Sequence, residues 1–450
     1  MYRLLRRSVW FLSSFVKKYR LILIGSTVLT LLICLAVFLL GPHLPKPKKH
    51  AYYGLVGKHT VTQIPTAIDT KLGLGLTFIG PDQTPLPGAA TSWTVSPDGT
   101  SYKFQLDTNL KWSDGKPLTV SDISISIPDV KINHTPPDTI EFVLPESFAP
   151  FPAVLSKPLL REGIYTLGAY SVSQVDTDGP YLRHITLDSK TDTIEYFFYS
   201  SITQAVTDFK LGKIDHLIGL SEQPPLSDWP NLTTTPSTDL YSYTAIFFNL
   251  QDPLFQNNKE LRQGLAYAIQ DKSMGLRRAV SPFHPQSWAF NSAVKPYEYN
   301  QEKAKELISK GRIPGQNPLK FELSTTPELI SVAEKLKSDW APFGIEVDIK
   351  IVTSRPVNFQ ALLYTQNIPH DPDQYVYWHS TQSTNLVNYI KKSINEDHEN
   401  DLIDKLLEDG RKAKDQASRR LIYLDFQRFL VELCSTIFLF YPDIYSVDRL

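Results

Sequence analysis

The chain has 450 residues, 42% hydrophobic and 12% aromatic, enough for a sizeable core, which excludes a disordered polymer. Its formal charge of −1 hides an asymmetry: residues 1–50 hold nine Lys/Arg and no acidic residue, so the remaining 37 basic groups face 47 acidic ones, a net −10. So acidic a body lacks the footprint of a nucleic-acid partner, and its two cysteines, Cys34 in an apolar run and Cys434 far away, exclude a disulfide framework.

Leu21 to Leu40 is a 20-residue uncharged apolar run, the length that spans a bilayer core. Six basic residues precede it and three follow, so the positive-inside rule puts the N-terminus in the cytoplasm and the body on the extracytoplasmic face. A single-pass cell-membrane protein is expected. The competing reading is a cleaved signal peptide, which the length of the run and the lack of a small-x-small site after Leu40 disfavour. Leu32-Ile33 before Cys34 likewise fails a lipoprotein signal. Four segments follow: 1–20, a basic cytoplasmic amphipathic segment whose residues 4–16 suit a short helix on the inner leaflet; 21–40, the transmembrane anchor; 41–50, a Pro/Lys-rich spacer; and 51–450, the body.

Residues 51–91 are Gly-rich with short apolar segments, expected as strands. Gly73-x-Gly75 lacks the third glycine of a dinucleotide fingerprint. Ser96-Pro97-Asp98-Gly99 suits a type I turn, and Tyr102, Phe104 and Leu106 alternate with polar residues as a half-buried strand. The turn would bring Trp93 near Trp112. Asp114-Gly115 marks a second turn, and Thr119 with Asp122 forms a capping-box pattern. Ile123, Ile125 and Ile127 alternate with polar residues as a further strand closed by Pro128, and Ile140, Phe142 and Leu144 give another. From residue 202 onward, helix faces (202–209, 261–269, 300–308, 333–340) alternate with strands (214–218, 245–250, 347–351), and FLFYPDIYSV closes the chain as a strand. That alternation defines an α/β lobe.

The densest polar-aromatic cluster is residues 364–380, followed by Asn385. His370, Asp371, Asp373 and His379 invite a metal reading, but Pro369 and Pro372 break any helix that would align them, so no metal and no cofactor is expected. No catalytic residue is expected either. G-x-S-x-G is absent, His398-Glu399 lacks the second histidine of a zinc protease, and without a P-loop any transport energy must come from another chain.

The order S-W-x-V-S-x-D-G-x-x-Y-x-F-x-L, then K-W-S-D-G-K-P-L-T-x-x-D, over residues 92–122 resembles the signature of family 5 extracytoplasmic solute-binding proteins, the peptide/nickel-type receptors of ABC importers. DFKLGKIDHLIG, LRQGLAYAIQDK and QEKAKELI resemble later family motifs in the same order. Gly168-Ala169-Tyr170 and Gly179-Pro180-Tyr181 both resemble the family's G-x-G-P-Y turn. The resemblance implies a two-lobed, periplasmic-binding-protein-like α/β fold (type II, cluster C-like). Its second lobe would be reduced, because a strand pattern follows Thr119 where the family continues into a long helix. It implies that 51–450 is a solute-binding domain, with capture of a peptide or similar small solute between lobes and delivery to an ABC permease and its ATPase subunits. The implied ligand-binding residues are Tyr364, Gln366, Asp371, Asp373, Trp378, His379 and Asn385. The family's ammonium-binding Asp falls in register with Ile368 here, leaving Asp371 or Asp373 as substitutes. The alternative is a sensory or adhesive ectodomain that keeps the fold without transport.

Overall fold

The computed structural model describes residues 2–40, 48–61, 64–226, 229–312, 318–387 and 398–449. It divides into two units: the N-terminal segment through Lys49 together with Lys190–Asp192, and the rest of the chain, the body. The helix Tyr2–Leu40 contains one residue of non-helical backbone, Tyr19 (φ −107, ψ 16), at the expected junction between basic segment and apolar run. Ser13–Leu35 is long and apolar enough to cross a membrane. Within it Thr27 Oγ1 donates to Leu23 O (2.7 Å) and Thr30 Oγ1 to Ser26 O (2.8 Å), each bonding back to its own helix. Most of the expected spacer, residues 41–47, lies outside the described residues.

Within the body, a seven-stranded sheet gathers strands from three distant parts of the chain: Lys49–Val56, the middle strands between Ser171 and Thr238, and the last strand Asp443–Arg449. Lys49–Val56 runs parallel to His216–Leu220, and the last strand pairs antiparallel with His216–Leu220 and Leu232–Thr238. One apolar cluster on this terminal lobe includes Leu55, Ile68, Leu187 and Tyr196, another Phe209, Ile214, Leu217 and Val447.

A hairpin unit is inserted between residues 73 and 168. Its four-stranded sheet has the order Ala90–Val95, Ser101–Leu106, Thr139–Val143, Lys131–Thr135. The predicted turn is present: Gly99 N donates to Ser96 O (2.9 Å) at φ +75, a conformation that favours glycine. Trp93 stacks on Phe104 (5.7 Å between centroids), whereas Trp112 carries the Arg161 guanidinium over its ring (5.3 Å). The capping box also forms, with Asp122 accepting from Thr119 N (2.9 Å) and from Trp112 Nε1 (3.3 Å).

Three expectations need correction. Residues 51–91 include a helix, Thr66–Leu72, whose Ile68 and Leu72 are buried one turn apart. Ile123, Ile125 and Ile127 turn one side inward but pair with no strand, although the long helix of the family is absent there as expected, with a single 3-10 turn, Val120–Asp122, in its place. FLFYPDIYSV is two strands in two sheets, because Pro442 has no N–H to continue a ladder and the chain crosses between lobes there.

The central lobe spans residues 242–441. Its six-stranded sheet has the order Arg277–Arg278, Thr436–Tyr441, Ser242–Phe248, Ala361–Asn367, Leu319–Thr325, Ile345–Ile351. Helices Lys259–Ala268, Gln301–Lys310, Ile330–Trp340 and Gln416–Leu433 bury one face each around the largest core. Asn258, Asn300 and Asp415 cap three of them by accepting from a backbone N–H three residues on. Buried Cys434 is a free thiol in the left-handed region (φ 51), and burial pushes its pKa up to about 12.

Candidate functional site

Two crossovers join the lobes, Asp239–Tyr241 going out and Pro442 coming back, and Asp239 N donates to Pro442 O (2.8 Å) to tie them together. Both crossovers leave one end of the central sheet. There the parallel strands Leu319–Thr325 and Ala361–Asn367 end and Ser242–Phe248 begins. Ligand crevices in sheets with parallel strands lie beyond such carboxyl ends. Thr325 and Thr326 bring buried hydroxyls there that have no hydrogen-bond partner among the described residues. Residues 368–387 emerge from the same end.

The structure places the seven expected residues in two groups. Tyr364, partly exposed, and Gln366, 9% exposed, lie on one face of the Ala361–Asn367 strand, opposite Ala245 and Tyr243. Gln366 bonds to the Tyr377 hydroxyl, whose pKa burial nonetheless raises. The other five are engaged by the central lobe itself. Trp378 is 2% exposed, its ring 6.2 Å from both Phe247 and Phe438 in the main core. Asn385 Nδ2 donates to Trp378 O (3.1 Å) and its Oδ1 accepts from Val387 N (3.0 Å), closing the loop on itself. His379 Nδ1 lies 2.8 Å from Thr381 Oγ1, and its Nε2 lies 3.3 Å from Glu408.

Both candidate carboxylates are held by guanidinium groups. Asp371 accepts from Arg419 Nη2 (2.6 Å) and Nη1 (3.2 Å), and both side chains are nearly buried. Burial alone would lower the Arg419 pKa, but Asp371 and Tyr423 outweigh it and raise the value. Asp373 accepts from Arg411 Nε (2.9 Å) and Nη2 (2.8 Å). The Arg411 guanidinium lies 3.7 Å over Tyr375, which in turn stacks on His379 at 4.0 Å. A carboxylate occupied in this way offers little to a ligand ammonium group. Ile368, in the register of the family's acid, is 5% exposed and donates its N–H to Tyr241 O (2.7 Å).

Sequence reasoning missed Arg411 and Arg419, which act across 38 and 48 residues. It also missed a ring cluster at the crossover, where Tyr241 lies 4.7 Å from His284 and 4.9 Å from His370. Burial lowers the pKa of both histidines, and Arg277 and His370 lower that of His284 further. A separate groove of about 630 Å³ in the terminal lobe, lined by Lys58, Tyr181, Arg183, Tyr199 and Asp208 among others, contains none of the expected residues. Among the described residues no group of three His, Cys, Asp or Glu is placed to hold a metal.

These lobes and this hinge define a two-lobed binding-protein fold. The sequence profile of bacterial extracellular solute-binding proteins, family 5, matches residues 84–160 and 186–391, and the chain belongs to that family. Heme-binding protein A of Haemophilus influenzae is 23% identical over 348 residues, 58% of this chain and 61% of its own length. The oligopeptide-binding protein AppA of Bacillus subtilis is 26% identical over 289 residues, 56% of this chain and 51% of its own. The chain thus spans less than two-thirds of the length of these curated relatives. Among solved structures, Campylobacter jejuni NikZ in complex with Ni(L-His) superposes with a TM-score of 0.69 at 21% identity, covering 90% of this chain and 94% of NikZ. Bacillus subtilis AppA in complex with a nonapeptide gives 0.64 at 19% identity, covering 90% and 95%.

Proposed function

We propose that this chain is a membrane-tethered, non-enzymatic receptor that captures a small extracytoplasmic solute, a peptide, between its two lobes. It delivers that solute to the permease of an ABC importer, whose ATPase subunits supply the energy. The observation that carries this reading is the pair of crossovers at the carboxyl ends of the central sheet in a chain of this family. Such a hinge lets a solute shift an open–closed equilibrium by binding the closed form better. Relatives that bind oligopeptides support the choice of peptide. The helix containing Ser13–Leu35 serves as the anchor, with the N-terminus in the cytoplasm.

Tyr364 and Gln366 line the solute's path, and an extended peptide bonds there through its backbone, which tolerates varied side chains. Asp371, Asp373, Trp378, His379 and Asn385 shape the wall from behind. With both carboxylates engaged by arginines, recognition does not depend on a free peptide amine. Thermal unfolding with a pool of mixed short peptides tests this. A cognate peptide at 100-fold its dissociation constant adds about 2.7 kcal/mol, and N-acetylated peptides do so equally. No shift with any pool would reject the peptide assignment and leave the sensory or adhesive alternative.

A further inference from the structure

The hairpin unit reaches the central lobe without using the strand-end residues. Trp288 N donates to Asp82 O (2.9 Å), Gln83 Nε2 to Pro369 O (2.8 Å) and Gln416 Nε2 to Thr84 Oγ1 (2.9 Å). Nearby, Ala149 N donates to Arg411 O (2.7 Å), and the Arg411 guanidinium lies 5.4 Å from the Phe148 ring. Asp82, Gln83 and Thr84 form the tip of the hairpin between strands Thr77–Ile79 and Pro85–Pro87. Gln83 sits there at φ 65, an unusual conformation for a residue with a side chain, and is 0% exposed. A loop tip normally faces water, so a fully buried glutamine there marks a docked element.

The receiving surface is braced by ion pairs. Pro369 immediately precedes the segment that Arg419 and Arg411 pin through Asp371 and Asp373. The hairpin's own base is equally fixed, with Thr77 N bonded to Leu155 O and Gly88 N to Leu76 O. The hairpin unit's two chain connections both run to the terminal lobe, and the central lobe is reached through the two crossovers. A bend of the crossovers that parts the central lobe from the hairpin unit would therefore break the contacts at the tip.

We infer that the Asp82–Gln83–Thr84 tip is a latch that holds the hairpin unit against the central lobe before any solute binds. Contacts made only in the closed arrangement bias the same equilibrium that a solute biases, whether or not a solute is present. The latch is releasable. Gln83 Oε1 is buried without a hydrogen-bond partner among the described residues, and that desolvation offsets part of what Nε2 gains. Solute access then requires the tip to lift from Pro369, and the inference rests on the fold and its hinge, not on the identity of the solute.

Pulsed electron spin resonance on the full chain in lipid nanodiscs tests this, with spin labels at Thr94→Cys and Glu328→Cys in a Cys34→Ser background. Both positions are exposed, and buried Cys434 does not label. Without solute, the unmodified tip gives one dominant short distance. Gln83→Gly adopts φ 65 without strain, so it removes the side chain without forcing the backbone elsewhere, and the longer-distance population rises roughly tenfold relative to the closed one. Gln416→Ala moves the distribution the same way by less. A solute-free wild type already dominated by the long distance would overturn the latch. So would folded Gln83→Gly with an unchanged distribution. If Gln83→Gly does not fold, Gln416→Ala decides by the same criterion.

Discussion

Asp371 and Arg419 lie 2.6 Å apart with 9% and 7% of their side chains exposed, and a pair so buried is costly to break from one side. Arg419→Met leaves the carboxylate buried without its cation, and equilibrium unfolding should show a loss of about 3–5 kcal/mol. Adding Asp371→Asn should restore most of that loss, since the price of a lone buried charge disappears. Trp378 poses the opposite question, because the sequence reading set it against the solute and the structure sets it in the core. Trp378→Ala should therefore lower the melting temperature of the unliganded chain, by an amount equivalent to about 3–5 kcal/mol. An unliganded melt that stays put, with solute binding lost, would return Trp378 to the cleft wall. The acid pair at 371 and 373 was legible in the sequence as a cluster beside prolines. Its partners were not, since an ion pair across 38 or 48 residues leaves no periodic trace.

Thr66–Leu72 is a short helix between a proline and a glycine, and its Asp69 is partly buried. Burial raises the Asp69 carboxyl from 3.8 to about 6, against a smaller opposing effect from Lys157. A raised carboxyl contributes stability that is fully present below pH 3.8 and lost as pH rises through about 6. Asp69→Asn should flatten that part of the stability profile and add about 1 kcal/mol at neutral pH, after allowance for solvent screening. Urea unfolding on either side of the window measures it, and a wild-type profile parallel to that of Asp69→Asn would refute the assignment. The helix escaped sequence reading because seven residues give too few repeats to reveal a helical period. The hairpin of residues 92–106 and the Thr119 capping box were legible, because turn and cap chemistry is local. The strand expected over 123–127 failed because alternation reports which side is buried and says nothing of a partner strand.

At the scale of the whole molecule, the order of motifs gave the family and the two-lobed fold, whereas the lobe boundaries needed the structure. The terminal lobe is assembled from the beginning, middle and end of the body, and only the strand pairings reveal that. Pro442 illustrates the difference: in sequence it interrupts one apolar run, and in the fold it is where the chain passes between lobes. In the proposed receptor the body closes on a small solute and carries it. Capture is read out by denaturing gently purified chain and identifying the small molecules it releases by mass spectrometry. A peptide should be present at about one per folded chain and absent from a preparation unfolded and refolded beforehand. Protein that is folded, loses nothing on denaturation and regains no ligand from an extracellular extract would contradict it.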